Sequence, residues 1–222
     1  MALNHGTKPI VTDGLVLCLD AGDKNSYPGS GTTWYDLSGE GNNGTLTNGP
    51  TYSSANGGVI VLDGYNDYIL VQLNLSSNLS ANQSYTVLGA SRYVTAGGRT
   101  FSGANNNWLM GHWNTSTVKH YAGAGWVTGD DVDEQEDTNW RFYAATGNYS
   151  TDSYAFYVNG ELEAGPNTGG SDGPDNFSIG NFAAGDSEYS NSHISFMLCY
   201  NRVLTAAEVK QNFEAHRIRF GI

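Results

Sequence analysis

The last third of the chain, from Trp140 to Phe213, limits the fold most strongly because three local patterns in it agree. Residues 140–148 and 153–159 are rich in aromatic and β-branched side chains, which favour strands. Asn159-Gly160 ends the second run, and Asn-Gly supplies the positive φ angles that a two-residue hairpin needs. His193–Tyr200 is apolar on both faces. We therefore expect antiparallel strands, the last of them buried on both sides.

One helix is predicted after these strands. Thr205 can cap its first turn, and Glu208, three residues later, can complete a capping box. Leu204 and Val209 are placed to close over the cap as a hydrophobic staple. The spacing predicts a helix from Ala206 to about His216 that lies against a sheet through one apolar face.

Composition supports a β fold and limits the partners. Aromatic residues make up 12% of the 222 residues, and the chain contains 29 glycines, which favours strands and tight turns. The formal net charge of −12 disfavours binding to nucleic acid or an anionic membrane. Residues 1–14 lack the pattern of an export signal, and no run approaches the ~20 apolar residues of a membrane span. We expect no nucleic acid partner and no membrane insertion.

The length fits one β domain preceded by an arm. We assign residues 1–13 to a polar N-terminal arm and 14–222 to a single domain. Residues 15–20 are predicted as the first strand, and a loop rich in Gly, Ser and Asn follows, with Trp34 as a buried plug. Further along, a hairpin is expected from strands 107–113 and 118–122, joined by a loop at 114–117.

The ordered set of motifs resembles a laminin G-like, concanavalin A-like lectin domain. The resemblance implies an all-β jelly-roll β-sandwich of about a dozen antiparallel strands with one short C-terminal helix. The segments that carry it are LDGYNDYI (62–69), WRFY (140–143), YVNG (157–160), SIG (178–180) and ISFMLCYNRVLTAAEVKQNF (194–213).

Residues 14–22, 26–39, 42–50 and 217–222 are similar to the form that this domain takes in structural proteins of tailed bacteriophages. This resemblance implies a non-catalytic virion structural or decoration protein, assembled in the host cytoplasm and displayed on the virion surface. Other virion proteins and host-surface or environmental glycans would be its partners, and a homotrimer is the oligomer to expect. A free-standing carbohydrate-binding lectin module is the alternative.

Three tryptophans and two asparagines are the candidates for glycan binding. Trp108, Trp113 and Trp126 lie near predicted turns, together with Asn107 and Asn114. Flat rings stack on the C–H faces of sugars, and side-chain amides can bond sugar hydroxyls. Burial of the same rings in the core is the competing interpretation.

An acidic segment at 130–137 (DDVDEQED) is the candidate metal site, with Asp131, Asp133 and Glu134 as ligands. Six carboxylates this close repel one another unless a cation or solvent screens them, and oxygen ligands suit calcium. Many laminin G-like domains bind calcium, so the resemblance agrees. A solvated acidic loop is the alternative, because EF-hand spacing is absent.

Catalysis is not expected. Hydrolases with this fold place carboxyls along one strand in the pattern Glu, apolar, Asp, apolar, apolar, Glu, which this chain lacks. A glycoside hydrolase that uses Glu134 or Glu136 remains a second alternative. His112 and His120 are predicted opposite Lys119 and Gly111, on different faces of their hairpin, which disfavours a shared metal.

The two cysteines, Cys18 and Cys199, lie in apolar runs. The strands that hold them are close together in the family the chain resembles, so a bridge is one alternative. Two buried free thiols are the other, and the absence of an export signal favours it.

Overall fold

The computed structural model describes residues 8–74, 79, 84–95, 97–128, 138–170 and 173–222. These residues form fifteen strands, one α-helix and three 3₁₀ turns at Ala55–Gly57, Tyr149–Thr151 and Arg217–Arg219. The helix, α1, spans Ala206–His216. The strands are β1 (Leu15–Asp20), β2 (Thr33–Trp34), β3 (Gly44–Thr47), β4 (Thr51–Ser53), β5 (Val59–Asp63), β6 (Tyr68–Val71), β7 (Ser84–Tyr93), β8 (Arg99–Gly103), β9 (Trp108–Trp113), β10 (Ser116–Ala122), β11 (Arg141–Asn148), β12 (Ser153–Val158), β13 (Glu161–Asn167), β14 (Phe177–Ile179) and β15 (Asn191–Tyr200).

Two antiparallel sheets pack face to face. The eight-stranded sheet runs in the order β13-β12-β11-β7-β15-β5-β4, with β1 also paired to β15. The seven-stranded sheet runs β10-β9-β8-β14-β6-β3-β2. The interior cluster between them includes Val87, Phe101, Phe177 and Met197. The all-β sandwich expected from the sequence is confirmed.

Strand β15 lies at the centre of the eight-stranded sheet. It pairs with β7 on one side, and on the other side first with β5 and then with β1. Met197 and Cys199 point into the interior cluster, whereas Phe196 and Leu198 belong to a second cluster on the sheet's outer face. The prediction of a strand buried on both sides is confirmed.

Helix α1 covers that second cluster and begins where the capping pattern predicts. The Thr205 hydroxyl accepts from the Glu208 amide at 3.3 Å, and Glu208 Oε2 accepts from the Thr205 amide at 2.8 Å. Val209 and Phe213 are buried with the outer face of the sheet.

The Asn159-Gly160 turn has φ angles of 50° and 78°, and a Cβ at Gly160 would lie 2.8 Å from Phe213. None of the helices in the described residues is long and apolar enough to cross a membrane.

The β9–β10 hairpin differs from its prediction. Trp113 pairs with Ser116, so the turn contains two residues rather than the predicted four at 114–117. Lys119 pairs with Gly111 and His120 with Met110, with a register shift between Ser116 and Lys119. A bulge of this kind inserts one residue and reverses the face of everything beyond it.

The chain ends are tied to the sandwich by buried polar contacts. The Val11 amide donates to Asn212 Oδ1 at 2.9 Å, and the Tyr200 hydroxyl donates to the Val11 carbonyl at 2.8 Å. Near the other end, Arg219 Nη1 contacts both carboxylate oxygens of Asp20, at 2.8 and 2.9 Å. Both side chains of this ion pair are buried.

Trp34, in the long loop, is fully buried as predicted.

Candidate glycan-binding site

The segment that follows β10 folds back along the free edge of the seven-stranded sheet. The Val127 amide donates to the His120 carbonyl and the Ala122 amide to the Gly125 carbonyl, both at 3.0 Å. Tyr121 and Trp126 form an isolated antiparallel bridge. This return covers the edge strand and places Trp126 beside β9 and β10.

Three half-buried aromatic rings lie next to one another there, which we call the aromatic rim: Trp113, Tyr121 and Trp126. The Trp113 and Trp126 ring centroids are 5.2 Å apart with a 40° tilt, and Tyr121 meets Trp126 edge-on at 5.1 Å. Lys119 Nζ lies 5.4 Å from the Trp126 ring centroid. The contacts hold the rings in fixed mutual orientation and leave part of each exposed.

A pocket of about 210 Å³ opens beside the rim, lined by Gly98, Trp113, Asn114 and Glu188. Glu188 Oε2 accepts from Trp113 Nε1 at 2.9 Å and from Arg99 Nε at 2.5 Å. Asn114 presents an exposed side chain at the turn of the hairpin. The pocket therefore combines an aromatic ring, a carboxylate and an amide.

Arg99 supports the pocket from within the protein. Its guanidinium donates to Glu188 through two nitrogens, and Nη1 donates to Asn107 Oδ1 at 2.8 Å. One face of the guanidinium lies 4.2 Å from the Phe182 ring centroid. Its side chain is 6% exposed. Glu188 therefore neutralises its charge, and Glu188 and Asn107 accept from most of its N–H donors.

Backbone contacts hold the pocket walls together. The Arg99 amide donates to the Glu188 carbonyl at 2.9 Å, and the Asn114 amide donates to the Gly98 carbonyl at 3.2 Å. Glu188 has a φ of 52° and Gly98 a φ of 71°. A left-handed conformation costs about 1 kcal/mol or more in a residue such as Glu. Here it directs the carboxylate toward Trp113.

The buried phenol of Tyr93 also binds the pocket wall. Its hydroxyl donates to the Gly98 carbonyl at 3.0 Å. Burial, and to a smaller extent the nearby Glu188 carboxylate, raises the pKa of Tyr93 far above its ordinary value. The phenol therefore stays protonated and keeps donating to Gly98.

The family model Laminin_G_3, described as Concanavalin A-like lectin/glucanases superfamily, matches residues 63–210, about two thirds of the chain. The chain belongs to this superfamily. The search of curated proteins found no match to this chain.

Several solved structures share the fold of this superfamily member. The binding domain of Paraclostridial Mosquitocidal Protein 1 is 17% identical with a TM-score of 0.65, covering 91% of this chain and 52% of that one. Domain 4 of AbnA, an extracellular arabinanase of Geobacillus stearothermophilus solved with arabinotriose, is 19% identical with a TM-score of 0.63, covering 90% and 98%. The binding domain of Botulinum Neurotoxin DC, solved with SialylT, is 14% identical with a TM-score of 0.62, covering 91% and 51%. The superfamily member thus spans about half the length of the two toxin chains.

Four of the five predicted glycan-binding residues lie in or beside this site. Trp113 and Asn114 line the pocket, Trp126 belongs to the aromatic rim, and Asn107 accepts from Arg99. Trp108 does not belong with them, because it is fully buried and its Nε1 donates to the Tyr85 hydroxyl at 3.0 Å. Trp108 offers no ring face to a ligand, which corrects its inclusion as a binding residue.

The sequence interpretation missed Arg99, Glu188 and Tyr121. Arg99 and Glu188 are 89 positions apart and meet only because the turn before β15 folds against the start of β8. No local spacing indicates such a pair. Tyr121 was missed because it lies opposite Leu109 only through the register shift between Ser116 and Lys119, which the sequence does not mark.

The predicted calcium ligands Asp131, Asp133 and Glu134, and the alternative catalytic Glu136, lie outside the described residues. Within the part of the chain that the structure describes, no group of three or more His, Cys, Asp or Glu side chains could hold a metal.

The two hairpin histidines differ from their prediction because of the register shift. Both rings lie between the sheets: His112 stacks on Tyr93 at 3.9 Å, and His120 stacks on Phe156 at 5.6 Å. The expectation that they face opposite sides is wrong. His120 Nδ1–H donates to the Leu109 carbonyl at 2.7 Å, and burial lowers the pKa of His120 to about 4. His120 therefore stays neutral and packs as a core ring.

Proposed function

We propose that this lectin-like domain binds carbohydrate without catalysing a reaction on it. The observation that carries the proposal is the pair of half-buried tryptophans, Trp113 and Trp126, beside a pocket walled by Glu188 and Asn114. Tilted neighbouring rings suit successive sugar units, whose C–H faces stack on them. The carboxylate and amide can bond the hydroxyls that extend from those units.

Two of the solved structures with the same fold were determined with saccharide ligands. The arabinanase domain was solved with arabinotriose and the neurotoxin binding domain with SialylT. These ligands belong to those proteins, and they support the proposal because they show that the fold can present sugar sites.

The non-catalytic part of the proposal is supported by the acids at the pocket. Glycosidases use two carboxyls, about 5–5.5 Å apart when retaining and about 6.5–9.5 Å apart when inverting. Among the described residues that line the pocket, Glu188 is the one carboxylate, and it is already bonded to Arg99 and Trp113. We expect no release of reducing sugar from any glycan that binds.

Mutation of the rim tests the binding proposal. Trp113→Ala and Trp126→Ala should each weaken binding about tenfold, since loss of one stacked ring removes on the order of 1.4 kcal/mol. A glycan array would first identify a ligand, and titration calorimetry would then give the affinities. Melting temperatures would confirm that the variants are folded.

Tyr35→Ala is the matched control, because Tyr35 is an aromatic residue that is 47% exposed. It follows β2, at the edge of the seven-stranded sheet opposite to β10. Six strand spacings separate these edges, roughly 29 Å. Unchanged affinity in the two tryptophan variants, or equal loss in Tyr35→Ala, would contradict the proposal.

We further propose that the domain is displayed on the surface of a phage particle, where it contacts other virion proteins as a trimer. The support is the similarity of residues 14–22, 26–39, 42–50 and 217–222 to phage structural proteins. Light scattering of the purified protein tests the oligomer: the mass of three chains is expected. A monomer would instead favour the free-standing lectin module.

Calcium binding by Asp131, Asp133 and Glu134 stays a proposal from the sequence. A ligand that binds only the folded state raises the melting temperature with its concentration. We therefore expect added calcium to raise the melting temperature and a chelator to reverse the rise. A melting temperature indifferent to both would remove the proposal.

A further inference from the structure

The pocket beside the aromatic rim has one feature that bears on which glycans enter it: its accessible charge is negative. Glu188 lines the pocket with its side chain 35% exposed, whereas its cation partner Arg99 is 6% exposed. No Lys or Arg side chain lines the pocket among the described residues. A ligand that enters therefore meets the carboxylate and not the guanidinium.

Arg99 has little capacity left for a ligand anion. Nε and Nη2 donate to the two oxygens of Glu188, at 2.5 and 3.4 Å, and Nη1 donates to Asn107 at 2.8 Å. Phe182 lies against one face of the guanidinium. Sites that select carboxylates instead present the guanidinium fork to the ligand.

Glu188 retains acceptor capacity on one oxygen. Oε2 accepts from Trp113 and Arg99, whereas among the described residues the one hydrogen bond to Oε1 is the long 3.4 Å bond from Arg99. A carboxylate has about four lone-pair sites. Oε1 can therefore accept from sugar hydroxyls, which are donors, while a sugar carboxylate at the same place would be repelled.

Resting on the proposed function, we infer that this pocket selects neutral sugars and rejects sialic and uronic acids, with Glu188 as the residue that sets the preference. The left-handed backbone of Glu188 and its bond to Trp113 fix the carboxylate beside the ring on which a sugar would stack.

The test measures the affinity of the wild-type chain for matched pairs of glycans that differ only by one sialic acid or one uronic acid. The neutral forms should bind at least tenfold more tightly. In Glu188→Gln the side chain keeps its shape but loses its charge, and Arg99 loses its counter-ion. The ratio of neutral to acidic affinity should then fall at least tenfold.

Glu40→Gln is the matched control for net charge, because Glu40 is exposed between β2 and β3 at the opposite edge of the same sheet. It should leave the ratio unchanged. A second measurement needs no variant. Salt screens repulsion between exposed charges, so the wild-type ratio of neutral to acidic glycan affinity should fall toward one as ionic strength rises.

The outcomes separate the two proposals. Acidic glycans that bind the wild type as tightly as their neutral forms, with Trp113→Ala weakening both, would overturn the inference and leave the binding function standing. A ratio that stays the same in Glu188→Gln and in high salt would also overturn it. Absence of binding to every glycan on the array would overturn both.

Discussion

Cys18 and Cys199 lie on neighbouring strands, but their thiols point to opposite faces of the eight-stranded sheet. Cys18 pairs with Leu198, and Cys199 pairs with Leu17. Cys199 therefore packs between the sheets, whereas Cys18 packs in the cluster beneath the helix. The side chains of adjacent residues alternate across a strand. Both cysteines are free, which confirms the free-thiol alternative.

The first prediction concerns these thiols. Both are buried, and burial raises the pKa of each far above its ordinary value, so neither is a reactive thiolate. A thiol reagent such as DTNB should label fewer than one group in the native protein and two after denaturation. The melting temperature should be the same with and without a reductant. Loss of stability on reduction would contradict the free-thiol assignment.

The second prediction concerns the buried pair of Asp20 and Arg219. Arg219→Ala removes the cation and leaves the Asp20 carboxylate buried, which typically costs about 3–5 kcal/mol. Denaturant unfolding would measure the loss. Arg217→Ala is the control, because Arg217 forms an exposed ion pair with Glu214 three residues away, worth about 1 kcal/mol or less. Equal losses in the two variants would contradict the prediction.

The third prediction concerns pH. His120 has a pKa of about 4 in the folded chain against an ordinary 6.5, so the unfolded chain takes up its proton first as pH falls. The neutral His120 therefore contributes on the order of 3 kcal/mol to the free energy of unfolding. This contribution is fully present above pH 6.5 and is lost as the pH falls toward 4.

His120→Phe should remove this component, so its free energy of unfolding should fall less between pH 6.5 and 4 than that of the wild type. Unfolding curves at several pH values provide the measurement. Parallel pH profiles for the two proteins would show that His120 does not titrate as its burial implies.

The fourth prediction concerns the pocket wall. A Cβ at Gly98 would collide with the backbone oxygens of Glu188 and Tyr189, whereas a Cβ at Gly97 meets nothing within 4 Å. Both glycines have positive φ angles. Gly97→Ala should cost about 1 kcal/mol for its left-handed backbone, and Gly98→Ala about 2–3 kcal/mol more, because backbone must move.

Gly98→Ala should also weaken glycan binding, since the displaced segment carries Glu188, whereas Gly97→Ala should not. Unfolding free energies and calorimetric titrations of both variants would check this. Equal effects of the two substitutions on stability and binding would contradict the assigned geometry.

The elements that could be predicted are those whose determinants lie close together in sequence. The capping box of Thr205 and Glu208 located the helix, and Asn159-Gly160 located the β12–β13 turn. The apolar faces of residues 193–200 indicated a central strand. Each of these signals is local, so tertiary structure did not override it.

The parts that escaped prediction depend on contacts between distant segments. The bulge between Ser116 and Lys119 changes the register of β10, and nothing in the hairpin's composition marks it. Trp108 and Trp113 occur on the same strand, yet one is core and the other lines the pocket. Glu188 becomes a pocket residue only through Arg99, 89 positions away.

The pairing of β1 with β15 also determines when the protein can fold during synthesis. The first strand has to wait for a partner made almost 180 residues later, and Asp20 has to wait for Arg219. Chains emerge from the ribosome at about 5–20 residues per second, so Leu17 and Cys18 spend roughly 10–40 s without the neighbours that bury them. We expect this nascent segment to be the part of the chain that chaperones contact longest.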